Sequence, residues 1–155
     1  MDALDSQIVD LLQADGRMTQ QAIAHKVGLS QPSVAERIRK LEEAKVITGY
    51  TARVDSRKLG KDITAFIGVA IEHPRFFDSF AKKVMSLDEI LECHRVAGED
   101  SYVLKVRTED TSALDRLLVE SLRTIAGVTR THTTIVLASI KEDTRVASSR
   151  KGAQP

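Results

Sequence analysis

The 155-residue chain has no tryptophan, four phenylalanines and two tyrosines. Proteins that grip single-stranded nucleic acid stack bases on aromatic side chains, so this scarcity disfavours that class. A single cysteine, Cys93, cannot form an internal disulfide or make a thiolate metal site alone. No apolar run approaches the roughly 20 residues of a membrane-spanning helix, and the opening Met-Asp-Ala-Leu-Asp lacks the basic and apolar regions of a signal peptide. A cytoplasmic location with no membrane partner is expected. His25, His73, His94 and His132 have no metal-ligand spacing, and neighbours Cys93 and His94 would point to opposite faces of a strand. Neither a nucleophile with a paired base nor a phosphate-cradling glycine loop is found. The expectation is a protein that is not an enzyme and has no metal or cofactor.

What the chain does contain is concentrated between Thr19 and Tyr50. Thr19 suits a helix N-cap, and Ile23, Ala24 and Val27 form one apolar face. Gly28-Leu29-Ser30 interrupts the run, because glycine permits a tight left-handed turn and Ser30 can cap the next helix. That second helix, from Gln31, buries Val34, Ile38 and Leu41, with Pro32 in the first turn where a missing N–H costs nothing. Its other face carries Gln31, Ser33, Arg37, Arg39 and Lys40. An apolar rear, hydrogen-bonding residues in front and cations toward the end suit a DNA major groove. The bland alternative is a helical hairpin with a solvated charged face. Charge placement argues against it. Residues 31–61 hold eight basic and four acidic side chains, whereas the whole chain has 23 basic and 22 acidic. Cations gathered on a neutral protein make an electrostatic footprint for phosphate.

An earlier helix carries Leu4, Ile8, Leu11 and Leu12 behind an Asp2 cap, which completes a three-helix core. Val46 to Val54 is rich in β-branched residues and reads as a strand, and residues 51–62 as a linker. Beyond it the predicted elements are a strand Ile63–Ile71, a helix opened by Pro74, strands Ile90–Ala97 and Tyr102–Arg107, a helix capped by Thr111, and a long strand Val128–Ile140. The order β-α-β-β-α-β is the ferredoxin-like split unit. The fold class is therefore α+β, with a winged-helix-like helix-turn-helix domain over residues 1–50 and a second domain over 63–140. Residues 141–155 read as a polar, frayed tail. Two helices cover one face of such a sheet. Because Ile63–Ile71 is apolar on both faces, a second chain is expected on the other.

These segments together resemble the Lrp/AsnC, or feast/famine, transcription regulators. The resemblance runs from Leu4-Asp5 to Ile140 through Ala14-Asp15-Gly16-Arg17, Ile23-Ala24 and Val27-Gly28-Leu29-Ser30. It continues through Val34, Arg37, Leu41-Glu42, Val46-Ile47, Gly49-Tyr50, Val54-Asp55 and Leu59-Gly60. Val96-Ala97-Gly98-Glu99-Asp100-Ser101-Tyr102 and Gly127-Val128 to Leu137 complete it. It implies a helix-turn-helix joined to a RAM effector module, dimers paired through their sheets and assembled into octamers, and amino-acid effectors bound between dimers. Where the family has glycine before Val-Ile, this chain has Lys45, which as a left-handed helix cap would carry about 1 kcal/mol of strain.

The expected function is a sequence-specific, DNA-binding regulator of transcription on near-palindromic double-stranded operators, responding to an amino acid. Gln31, Ser33 and above all Arg37 are placed to read bases, and Arg39, Lys40 and Lys45 to meet phosphates. Arg37→Ala is expected to weaken operator binding with little change in melting temperature. For the effector, backbone N–H groups of the turn Gly98-Glu99-Asp100-Ser101 with a nearby carboxylate can meet both charges of a zwitterion. The resemblance adds Tyr102, Thr131 and Thr133 to that pocket. Two alternatives stand beside this reading: an effector-independent, DNA-wrapping architectural protein of the same fold, and an enzyme-regulatory subunit.

Overall fold

Asp2 starts the fold in the computed structural model, which describes residues 1–147. Its carboxylate accepts the Asp5 N–H at 2.8 Å while the Asp5 carboxylate accepts the Asp2 N–H at 2.9 Å. This reciprocal box opens α1 (Ala3–Ala14). Thr19 caps α2 (Gln20–Val27), which ends at Gly28 with φ 70°. Ser30 caps α3 (Gln31–Glu43), with Pro32 in its first turn. Ile8, Ile23 and Val34 are fully buried between the helices, joined by Ala24, Ile38 and Leu41. Burial of each large aliphatic contributes about 1.5–3 kcal/mol.

The end of α3 shows how Lys45 is accommodated. Ala44 caps the helix and Lys45 comes next at φ 56°, the one non-glycine residue with positive φ among those described. The Val46 and Ile47 N–H groups then return to the Leu41 carbonyl at 2.9 and 3.2 Å, closing a left-handed cap. Lys45→Gly should therefore raise the stability of the first unit by about 0.5–1 kcal/mol, since relief of the Cβ strain exceeds the gain in unfolded-chain entropy. Thermal denaturation followed by circular dichroism checks this; a lowered midpoint would contradict it.

The strand expected over Val46–Val54 is not one. The segment belongs to no ladder among the described residues, and Val46, Tyr50 and Val54 are largely exposed. Strand propensity describes side chains that suit a pleated surface, and within this chain the segment has no neighbouring strand to pair with. Tyr50 instead donates its hydroxyl to Glu42 on α3 at 2.9 Å. No strand follows α3 directly, so the helix-turn-helix is wingless here.

The chain divides into two compact units, Met1–Arg53 with the described residues from Lys141 on, and Val54–Ile140. Residues 141–147 are held rather than frayed. The Gln13 amide donates to the Val146 carbonyl at 2.9 Å and accepts its N–H at 2.8 Å, and Arg53 donates to the Glu142 carbonyl at 2.9 Å. The tail reading for residues 148–155 lies outside the described residues.

In the second unit the four strands are β1 (Ile63–Ile71), β2 (Ile90–Arg95), β3 (Tyr102–Thr108) and β4 (Val128–Ile135). They form one antiparallel sheet in the order β2-β3-β1-β4. A single 3₁₀ turn from Pro74 leads into α4 (Phe77–Val84), and α5 (Thr111–Arg116) runs on as a π-helical turn, Leu117–Leu122. The cap of α5 is Asp110, whose carboxylate accepts the Ala113 N–H at 2.7 Å, and not Thr111. The strand β4 stops five residues short of Ile140, because Val136 already bonds to Thr64 and β1 begins at Ile63, leaving no partner beyond. The strand β2 likewise stops at Arg95, where β3 begins opposite at Tyr102. Ala65, Ile67 and Val69 from β1 face Phe80, Val84, Leu104, Val106, Leu114, Leu117 and Leu122 in a closed core. On the other face of β1, Phe66 is 43% exposed.

Candidate DNA interface and effector site

The sequence places polar and apolar residues on opposite sides of α3, and the fold keeps them there. Val34, Ile38 and Leu41 are buried, while Gln31, Ser33, Glu36, Arg39 and Lys40 are exposed, with Lys45 exposed just past the end. Gln31 lies exposed at the first turn. The Ser33 hydroxyl shares a 2.8 Å hydrogen bond with that of Ser30. Arg39 donates from Nε and Nη2 to Glu36 at 2.9 and 2.7 Å and also pairs with Glu43; Lys40 lies 3.5 Å from Glu36. Arg39, and then Lys40, hold the Glu36 carboxyl down at about 2. Exposed ion pairs of this kind contribute little, so their cations can exchange a carboxylate for a phosphate.

Arg37 is engaged differently. Its Nη1 donates to Asp2 at 2.7 Å and to Asp5 at 2.6 Å, the two carboxylates of the α1 capping box, and the side chain is 29% exposed. This ties the middle of α3 to the start of α1. With these two ion pairs, removing Arg37 should cost stability, which revises the expectation of little change in melting temperature. Asp2 is held below 3.8, first by the Asp5 N–H and then by Arg37. A carboxyl depressed by folding adds stability above its unfolded pKa and loses it as pH falls through the folded value. Arg37→Ala should thus lower the melting temperature of the first unit at pH 7, and the deficit should shrink as pH falls below 3.8 and Asp2 protonates in both proteins. A pH-independent deficit in thermal scans would contradict the ionic link.

The effector turn is docked onto β1. The Ser101 N–H donates to the Val69 carbonyl at 2.8 Å, and the Ser101 hydroxyl accepts the Ile71 N–H at 3.0 Å. That N–H points to the β3 side of the strand and is available because the β1–β3 pairing ends at Val69 and Tyr102. The Asp100 carboxylate lies over Gly68: a Cβ there would sit 2.1 Å from Oδ2. Gly98 and Glu99 are exposed on the same turn.

Three residues expected in this pocket lie elsewhere. Gly68 faces away from the helices, between buried Ile67 and Val69, so Asp100 is on the uncovered face of the sheet. Tyr102 and Thr131 pair opposite Val69, and Thr133 opposite Ile67, which puts all three on the helix-covered face. Tyr102 is 7% exposed and packs on Phe77 and Phe80 at ring-centroid distances of 5.5 and 4.8 Å. Thr131 accepts a bond from Arg123 at the end of the π turn at 3.2 Å. The β4 residue that shares the face of Asp100 and reaches it is Arg130, unnoticed in the sequence because Thr131 and Thr133 are equally polar.

Among the described residues no group of three His, Cys, Asp or Glu could hold a metal, and no helix is long and apolar enough to cross a membrane. A cavity of about 240 Å³, lined by Lys61, Glu89, Glu109 and Arg116 among others, contains none of the expected effector residues.

A three-helix DNA-reading module followed by a ferredoxin-like module with a built turn defines a two-part regulator. Residues 1–42 match the AsnC-type helix-turn-helix domain, and residues 64–146 the Lrp/AsnC ligand binding domain. The leucine-responsive regulatory protein of Klebsiella pneumoniae is 36% identical over 148 residues, 94% of this chain and 90% of the relative. A transcriptional regulator of Neisseria meningitidis, solved with L-methionine, superposes with TM-score 0.90 at 28% identity, covering 94% of this chain and 96% of that one. The feast or famine regulatory protein of Mycobacterium tuberculosis, complexed with L-methionine, gives 0.88 at 37% identity, covering 95% and 99%. The chain belongs to the Lrp/AsnC family of transcriptional regulators.

Proposed function

We propose that this protein regulates transcription by laying α3 in the major groove of near-palindromic duplex DNA, and that a free amino acid at the Gly98–Ser101 turn alters its assembly. The exposed front of α3 carries the reading: hydrogen-bonding Gln31 and Ser33 lead, cations Arg39, Lys40 and Lys45 come after them, and the apolar rear is fully used by the core. Gln31 is the base reader, since amide side chains pair bidentately with adenine. Arg37 serves chiefly to fix the angle of α3. Groove readers bind as pairs whose half-sites lie about 34–36 Å, or a multiple, apart. The uncovered sheet face, with Phe66 exposed on a central strand, is where a second copy pairs, and dimers assemble further into octamers.

The effector contacts are the Gly98, Glu99, Asp100 and Ser101 turn, with Asp100 taking the ammonium group. The two L-methionine complexes of relatives favour an amino acid as the ligand class. A ligand shifts such an assembly only by its differential affinity for the alternative states. This mode of action is cytoplasmic and needs no catalysis.

Selection of bound sequences from random duplex DNA, repeated with and without the twenty free amino acids, tests this. The expected result is enrichment of near-palindromes whose recovery depends on at least one amino acid. Broad, unenriched binding that ignores every amino acid would favour an architectural DNA-wrapping role instead.

A further inference from the structure

We infer that Arg130 and Gly68 complete the effector site, turning the Asp100 turn into a receptor for both charges of a free α-amino acid; this rests on the effector reading above. Arg130 stands opposite Ala70 on the uncovered face, and its Nη2 lies 3.3 Å from Asp100 Oδ1 and 3.4 Å from the Glu99 carbonyl. Both contacts are longer than the roughly 2.7–2.9 Å of a good charge-assisted hydrogen bond. The guanidinium carries five N–H donors, and the side chain is 55% exposed, so donors remain for an incoming carboxylate. Asp100 cannot simply swing aside, since its turn is fastened to β1 through both the Ser101 backbone and the Ser101 hydroxyl.

The result is a fixed carboxylate and a guanidinium side by side, in a pair weaker than either could make with a better-placed partner. An α-amino acid presents the complementary charges one carbon apart. Its ammonium donates to Asp100 and its carboxylate accepts two N–H bonds from Arg130, so one long contact is exchanged for shorter charge-assisted ones. Gly68 is a positioning residue: the Asp100 carboxylate occupies the volume of the missing side chain, with Cγ only 2.7 Å from where a Cβ would be. The atoms that would be struck are a carboxylate on a fastened turn, so any side chain at position 68 displaces Asp100.

The test is calorimetric titration of the full-length protein with each of the twenty free amino acids, then of the tightest binder and its carboxamide, which lacks the carboxylate. The wild type should bind the carboxamide at least 10-fold more weakly than the acid. Arg130→Met should lose at least 10-fold for the acid and bind both ligands alike, Arg130→Lys should recover part of the loss, and Gly68→Ala should lose both. Arg130 lies on the face where a second copy is proposed to pair, so light scattering of each variant accompanies the titration. An Arg130 variant with the wild-type assembly reports on binding even if Gly68→Ala misfolds. Equal acid affinity in wild type and Arg130→Met would overturn the inference and leave the effector reading standing. No heat from any amino acid with the wild type would remove the effector reading itself.

Discussion

Replacing Ser33 with glutamate should sharply weaken operator binding while leaving the first unit slightly more stable than before. Ser30 is the N-cap of α3 and Ser33 is the third helical residue, so glutamate there completes the Ser-x-x-Glu capping box. It also puts negative charge at the positive end of the helix dipole, which adds a few tenths of a kcal/mol. The same carboxylate, if α3 lies in a groove, sits among phosphates and base edges. Like charges brought together at an interface cost several kcal/mol, so affinity should drop on the order of 100-fold or more. Anisotropy titration of a selected operator measures one effect and thermal denaturation the other. Opposite signs are the signature; retained affinity would take the front of α3 out of the interface.

The second large effect is in the sheet unit. Phe80 on α4 is fully buried, stacks at a tilt on Tyr102, and is the largest side chain with no exposure. Phe80→Ala should destabilise this unit by about 3–5 kcal/mol, the transfer free energy of the ring plus the residual cavity. That is a large share of the stability of any small domain. Denaturant titration should show a lower midpoint, and Phe80→Leu should recover much of the loss because it leaves a smaller void. Operator affinity should fall with it if, as proposed, the sheet unit pairs the two copies that read the half-sites. An unchanged denaturation midpoint would contradict the core assignment.

Local chemistry and hydrophobic period made most of the fold legible. The helix faces of Ile8, Ile23, Val34 and Leu41 stem from spacings of three and four, and the glycine at 28 adopts the left-handed turn it permits. The order of strands and helices in the second unit emerged from the same patterns. What stayed hidden depended on partners far away in sequence. Arg37 meets carboxylates 35 and 32 residues earlier, a separation that no helical spacing within α3 reveals. Val46–Val54 has strand composition, but strand formation requires a neighbouring strand to pair with, which composition does not reveal. In β4, Thr129-Arg130-Thr131-His132-Thr133-Thr134 is polar on both parities, so alternation gave no way to tell the face of Asp100 from the face of Tyr102. Gly68 looked like one more small residue in an apolar strand until the turn folded over it.

The proposed operator recognition hinges on α3 lying in the major groove, and a DNA-cleaving label on that helix tests it most directly. Gln31→Cys, made with Cys93→Ser because the exposed native thiol would also react, carries an iron chelate at the front of α3. Bound to a selected operator, it should cut at two clusters about one helical turn, or a multiple, apart. The same chelate on Gln7, an exposed residue of α1, should cut weakly or elsewhere. Equal cutting from both positions, or none from residue 31 on DNA that the protein still binds, would contradict the groove placement of α3.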